Sequence, residues 1–146
     1  MPHPPDHEAV AQRAGRLVDQ GYHCSEAILL AVGEHIVEGF DPSLVRLATG
    51  LGGGVGGTHE ELCGGLSGGL LVIGARYGRT DPGASDQPAY RLSARYRERF
   101  IEEFGMTRCQ DLRDSGFGSR GRWPCSALIE RAARVLLDVL EEEDTG

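Results

Sequence analysis

Apolar residues recur three and four positions apart along most of the chain, the spacing that gives a helix one buried face. Val10, Ala14, Leu17 and Val18 predict a first helix, with Asp6 as its cap and a stop near Gly21. A second helix opens at Cys24-Ser25-Glu26, runs through Ala27, Ile28, Leu30, Ala31 and Ile36, and ends at Gly39. Asp41-Pro42 reads as a cap followed by a first-turn proline, opening a short helix with Leu44, Leu47, Ala48 and Leu51 inward. A helix from about Leu62 to Tyr77 follows. Asp86 and Pro88 then start a long amphipathic helix carrying Tyr90, Leu92, Ala94, Tyr96, Phe100, Ile101 and Phe104, closed by Gly105. A short helical turn near Arg108 to Arg113 precedes a loop, and Pro124-Cys125-Ser126 opens the last helix, with Leu128, Ile129, Ala132, Leu136 and Leu140 inward. No segment alternates with period two. The pattern predicts an all-α fold, a compact single-domain bundle of about five to six helices with a central Gly-rich loop. Residues 1–6 are expected to form a tail and residues 7–142 the domain.

The central loop is the unusual part. Gly50 to Gly69 holds ten of the 22 glycines and one of the four cysteines. Glycine is costly to order, so such a concentration points to positive φ, accessible backbone N–H groups, or close approach by another backbone or a ligand. Gly64/Gly68 and Gly65/Gly69 also lie four apart, which gives a helix a smooth face and makes a homodimer an expectation.

Composition narrows the classes. A chain of 146 residues with net charge −7 is one soluble domain without the basic stripe that phosphate binding needs, so no nucleic-acid partner is expected. Every basic residue is Arg, which excludes Schiff-base lysine chemistry and a P-loop. The first residues lack a signal-peptide pattern and no apolar run approaches a membrane span, so the expected location is cytoplasmic, without membrane insertion. In that compartment cysteines tend to be metal ligands or redox centres.

Cys24, Cys63, Cys109 and Cys125 each fall at or just before a predicted helix start, where unpaired N–H groups and partial positive charge favour thiolate. Their spacings of 39, 46 and 16 residues contain no C-x-x-C, so only tertiary structure can gather them. Converging thiolates suit an iron–sulfur cluster or a soft metal. They equally suit dithiol/disulfide exchange, with Cys109 and Cys125 the natural pair because they are closest in sequence. Scattered cysteines would instead be small buried hydrophobes.

Other motifs are weaker. Gly52, Gly54 and Gly57 formally satisfy G-x-G-x-x-G, but a helix precedes them where the dinucleotide fingerprint needs a strand. His23 and His59, beside and four residues before a cysteine, read as ligand, thiol base or solvated loop residue. Glu60 and Glu61 read as first-turn acids complementing a helix dipole.

These residues resemble the redox-active protein family named for its C_GCAxxG_C_C pattern. The likeness rests on Tyr22-His23-Cys24-Ser25-Glu26-Ala27, on Cys63-Gly64-Gly65-Leu66-Ser67-Gly68 after the glycine loop, on Cys109 behind Phe104-Gly105, and on Cys125 at the last helix. Gly65 departs from the family's Ala, a change worth roughly 1 kcal/mol of helix propensity that removes no ligand. The resemblance implies redox activity. A similar domain in a multi-haem cytochrome, associated with an iron–sulfur centre, extends the implication to a cluster; haem attachment does not carry over, because no C-x-x-C-H is present.

The leading expectation is therefore a redox protein that binds an iron–sulfur cluster or soft metal through Cys24, Cys63, Cys109 and Cys125. Gly53, Gly54, Gly56, Gly57 and Gly64 would present amides to it and His59 would stand beside it, with an unidentified redox partner. Two alternatives stand beside this one: a thiol–disulfide oxidoreductase or sensor using Cys109 and Cys125, and a helical adaptor or small-ligand module with incidental thiols.

Overall fold

In a computed structural model that describes residues 5–118 and 121–145, the chain is all-α. Six α-helices and one 3-10 helix make up the described residues: α1 (Pro5–Asp19), α2 (Cys24–Ile36), the 3-10 helix (Pro42–Leu51), α3 (Gly64–Tyr77), α4 (Gln87–Phe104), α5 (Cys109–Asp114) and α6 (Cys125–Thr145). The expected tail at residues 1–6 lies outside the described residues except for Pro5 and Asp6. Both belong to α1, so Asp6 is a first-turn acid rather than the cap.

α2 is the central element. Ser25 and every residue from Ala27 to Gly33 are buried, because α1, α3, the 3-10 helix and α6 all pack on it. An unbroken apolar run of this kind is what a helix covered all round requires. α4 buries one row at four-residue spacing, Leu92, Tyr96, Phe100 and Phe104, and leaves Tyr90 68% exposed. α6 supplies the long apolar face on which α1, α3 and α4 close. Across the outside of α4 and α6, Arg99 donates to Glu142 at 2.7 Å and Arg131 to Glu103 at 2.9 Å. Exposed pairs of this type contribute little each.

Two local expectations change. The segment after Asp41 is capped as predicted, with Asp41 Oδ1 accepting from the Ser43 N–H at 2.9 Å, but it winds as a 3-10 helix. Three residues per turn align Val45, Ala48 and Leu51 on the inner row and turn Leu47 outward, 63% exposed, against the expectation for an α-helix. The smooth glycine face of α3 is used within the chain rather than between chains. A Cβ on Gly68 would stand 2.5 Å from the Ser25 carbonyl oxygen of α2, and one on Gly69 would stand 2.4 Å from the Tyr96 ring of α4. The argument for a homodimer from those glycines therefore falls. Among the described residues no helix is long and apolar enough to cross a membrane.

Candidate functional site

All four cysteines stand at helix starts. Cys24, Cys109 and Cys125 are the first residues of α2, α5 and α6, and Cys63 is the N-cap of α3, its sulfur accepting the Gly65 N–H at 3.4 Å. Four contacts bring these starts together. Gly64 sits where a Cβ would be 2.9 Å from Cys24 Cβ, so α2 and α3 begin side by side. The Cys63 N–H donates to the Thr107 carbonyl at 2.7 Å and the Cys109 N–H to the Glu61 carbonyl at 2.9 Å, stitching the α5 start to the end of the glycine loop. Gly65 faces Ile129 and Leu128 in the first turns of α6.

The result is one cavity of about 50 Å³ lined by Cys24, Cys63, Cys109 and Cys125. Gly53, His59, Gly64 and Arg113 complete it with the apolar side chains of Leu112, Phe117 and Leu128. All four cysteines are free thiols. Among the described residues no three cysteine sulfurs come within 4.8 Å of one another. A single tetrahedral ion with metal–sulfur bonds of about 2.3 Å holds its sulfurs about 3.8 Å apart, so a closed single-ion ligand set of cysteines is not formed.

In the metal-free protein, burial works against the helix ends at three of the four thiols. Burial pushes Cys63 up to about 12, overcoming the N–H groups of Gly65 and Leu66. Burial also raises Cys109, against the nearby Arg113 charge. Cys24 is raised chiefly by its hydrogen bond to Cys125, with burial adding to it. Cys125 alone moves down, to about 6, because Cys24 hydrogen-bonds its sulfur and Arg113 adds positive charge. A half-turn of helix-end field is weaker than the desolvation of a buried thiolate. The two thiols that influence each other most are thus Cys24 and Cys125, whereas the sequence pointed to Cys109 and Cys125.

The glycine loop is built on left-handed turns that use several of its own amides. Gly53 to Gly57 are five consecutive residues at positive φ, Val55 among them at 70°, and His59 follows at 63°. Three of these amides are spent inside the loop: Gly56 N–H donates to Gly50 O at 2.9 Å, Gly57 N–H to Gly52 O at 3.1 Å, and His59 N–H to Gly53 O at 2.8 Å. The amides that reach the Cys63 sulfur are those of Gly65 and Leu66, on α3. Gly56 and Gly57 are exposed and away from the cavity, whereas Gly53 and Gly64 line it. Gly54 is needed for closeness, since a Cβ there would be 2.6 Å from Cys109 Cβ. His59 lines the cavity; His23 is exposed and packs on Gly52.

Two residues escaped the sequence reading. Arg113 lies one helical turn beyond Cys109, a spacing that places both on one face of α5. Tyr96 is fully buried and donates its hydroxyl to the Gly65 carbonyl at 2.8 Å, holding the residue whose N–H meets the Cys63 sulfur. Only its i+4 alignment with Phe100 marked it, and that signals core.

Fold and cavity together define a helical protein with a four-cysteine pocket. Over residues 22–139 the chain matches the family described as "Putative redox-active protein (C_GCAxxG_C_C)", and it belongs to that family. Gly65, where the family pattern has Ala, faces the flexible Ile129 Cδ1 at 2.9 Å from a built Cβ, so the departure leaves the pocket wall in place. Neither a curated protein nor a solved structure matches the chain.

Proposed function

We propose that the protein transfers electrons through the cysteine cavity, with Cys24, Cys63, Cys109 and Cys125 as thiolate ligands of an iron–sulfur cluster or soft metal. One observation carries this reading: four cysteines, each from a different helix start, line a single cavity. Soft thiolates select such groups. The sulfurs are more widely spaced than a closed single-ion set, which favours a cluster, whose iron and sulfide atoms would lie between its ligands. When bound, such a group gains and loses single electrons.

The chain's own residues would tune that exchange. Leu112, Phe117 and Leu128 keep water from the sulfurs, and the Gly65 N–H holds Cys63 in place. Arg113 offsets anionic charge, which together with that hydrogen bond raises a reduction potential. The natural partner is a second redox protein, and the setting a reducing compartment such as the cytoplasm.

Anaerobic purification followed by iron and acid-labile sulfide analysis tests the proposal. Iron and sulfide in fixed ratio to protein, lost in Cys63→Ser, are expected. A colourless, metal-free protein with four titratable thiols after anaerobic reconstitution would refute it.

A second reading has its own support: Cys24 and Cys125 line the same cavity, and each is the largest influence on the other's thiol. Here the two thiols give two electrons and two protons to a disulfide substrate and become a disulfide themselves. Mass mapping after mild oxidation should then find Cys24 joined to Cys125; absence of that bond ends this alternative.

A further inference from the structure

We propose that His7, Asp138 and Glu141 bind a divalent cation of the borderline class, zinc or its first-row neighbours, at the opposite end of the bundle from the cysteines. Each residue offers one ligand atom, and all three atoms lie within 4.8 Å of one another. His7 comes from the start of α1, whereas Asp138 and Glu141 lie three apart on one face of α6. Thirteen residues of helix separate Asp138 from Cys125, about 20 Å at 1.5 Å per residue, so the group is independent of the cavity. The inference stands whether or not the cysteine reading does.

The geometry is close to what coordination needs. His7 Nδ1 is 3.6 Å from Glu141 Oε2, and ligands at about 2.1 Å in a tetrahedral set stand about 3.4 Å apart. The side chains are half-sheltered, 16% exposed for His7 and 25% for Glu141. His35, from the last turn of α2, stands edge-on to the His7 ring at 5.8 Å, so three helices meet at this point. Three protein ligands leave the fourth position to water.

Charge and donor type favour the same occupant. Two carboxylates one turn apart repel, on a chain whose net charge is already −7. A dication held by all three residues would neutralise both carboxylates. An imidazole with carboxylates selects zinc, iron or cobalt over magnesium and calcium, and the absence of sulfur from the set disfavours the soft ions that suit the cysteines. His7 and Glu141 both lie outside the family-matched residues 22–139, so the cation would clasp α1, the helix outside that match, onto α6.

Cobalt(II) separates the two sites spectroscopically, because thiolate ligation gives intense near-ultraviolet charge-transfer bands and nitrogen/oxygen ligation only weak visible bands. Anaerobic titration of the reduced full chain should show one cobalt(II) equivalent with visible bands alone, displaced by zinc. His7→Ala and Glu141→Gln should each weaken that equivalent at least about tenfold, the range seen when a metal's supporting residues are lost, and leave the thiolate bands unchanged. If His7→Ala fails to fold, Glu141→Gln, a part-exposed change, decides alone. Cobalt bound only with thiolate bands, or an unchanged nitrogen/oxygen equivalent in either folded variant, overturns the proposal.

Discussion

Gly68→Ala and Gly74→Ala place the same methyl group on one helix, and the structure assigns them opposite signs. Both positions are helical, so each gains up to about 1 kcal/mol of propensity from the substitution. At Gly74 nothing lies within 4 Å of the new Cβ, and that gain stands alone. At Gly68 the Cβ would sit 2.5 Å from the Ser25 carbonyl oxygen, 2.8 Å from Ser25 Cα and 2.5 Å from Ile28 Cγ2. Two of those neighbours are backbone, so no rotamer change relieves them. Restoring ordinary contact near 3.4 Å requires α2 and α3 to separate by nearly 1 Å, in a helix pair buried along its length. Overpacking of this kind costs about 1–3 kcal/mol, with backbone clashes at the upper end. Net of propensity, Gly68→Ala should lose about 2 kcal/mol and Gly74→Ala gain up to about 1 kcal/mol. For a chain of this size those values correspond to a fall of roughly 4–8 °C in Tm and a rise of roughly 2–4 °C. Urea unfolding of the reduced protein with chelator present, followed by far-UV circular dichroism, measures both, with the m-value checked for constancy. Equal signs for the two variants, or a neutral Gly68→Ala, would refute the claim that α3 is glycine-rich because α2 lies against it.

Two further outcomes follow from the site. In reduced, metal-free protein Cys125 should react with iodoacetamide at a rate that levels off above about pH 7, since its pKa is lowered to about 6 and the thiolate form is already complete there. Cys63, pushed up to about 12, should stay unreactive across that range; mass mapping of alkylation against pH checks both, and a Cys125 rate still climbing tenfold per unit at pH 8 contradicts the assignment. Val55→Gly should stabilise the chain by about 1 kcal/mol, because a β-branched residue at φ 70° carries left-handed strain and this one is 42% exposed with little packing to lose. A lower Tm for that variant would show that the Val55 side chain contributes more than its backbone conformation costs.

Helices were legible in the chain wherever a local signal existed. Asp41-Pro42 marked a start, Gly105 at φ 80° marked an end, and the row Leu92, Tyr96, Phe100, Phe104 marked a buried face. Where two windings share the same apolar residues, as between Pro42 and Leu51, periodicity left them undivided, and packing against α2 selected the tighter one with Leu47 outside. The glycine pairs Gly64/Gly68 and Gly65/Gly69 announced close helix contact but not the partner, because a smooth face suits a second chain as well as α2, α4 and α6.

The position of each cysteine at a helix start was determined by sequence alone, since caps and breakers act over a few residues. That Cys24 and Cys125 act on each other across a hundred residues of chain, and that Arg113 of α5 also acts on Cys125 of α6, only the tertiary structure decided. So too with charge: a helix end favours thiolate locally, but burial is a property of everything packed around the sulfur, and it reverses the local preference at Cys63 and Cys109. Hydrogen-bonding and capping signals travel along the chain, whereas desolvation and contact across it depend on which faces meet. That is why the elements were readable before the fold and the chemistry of the four thiols only after it.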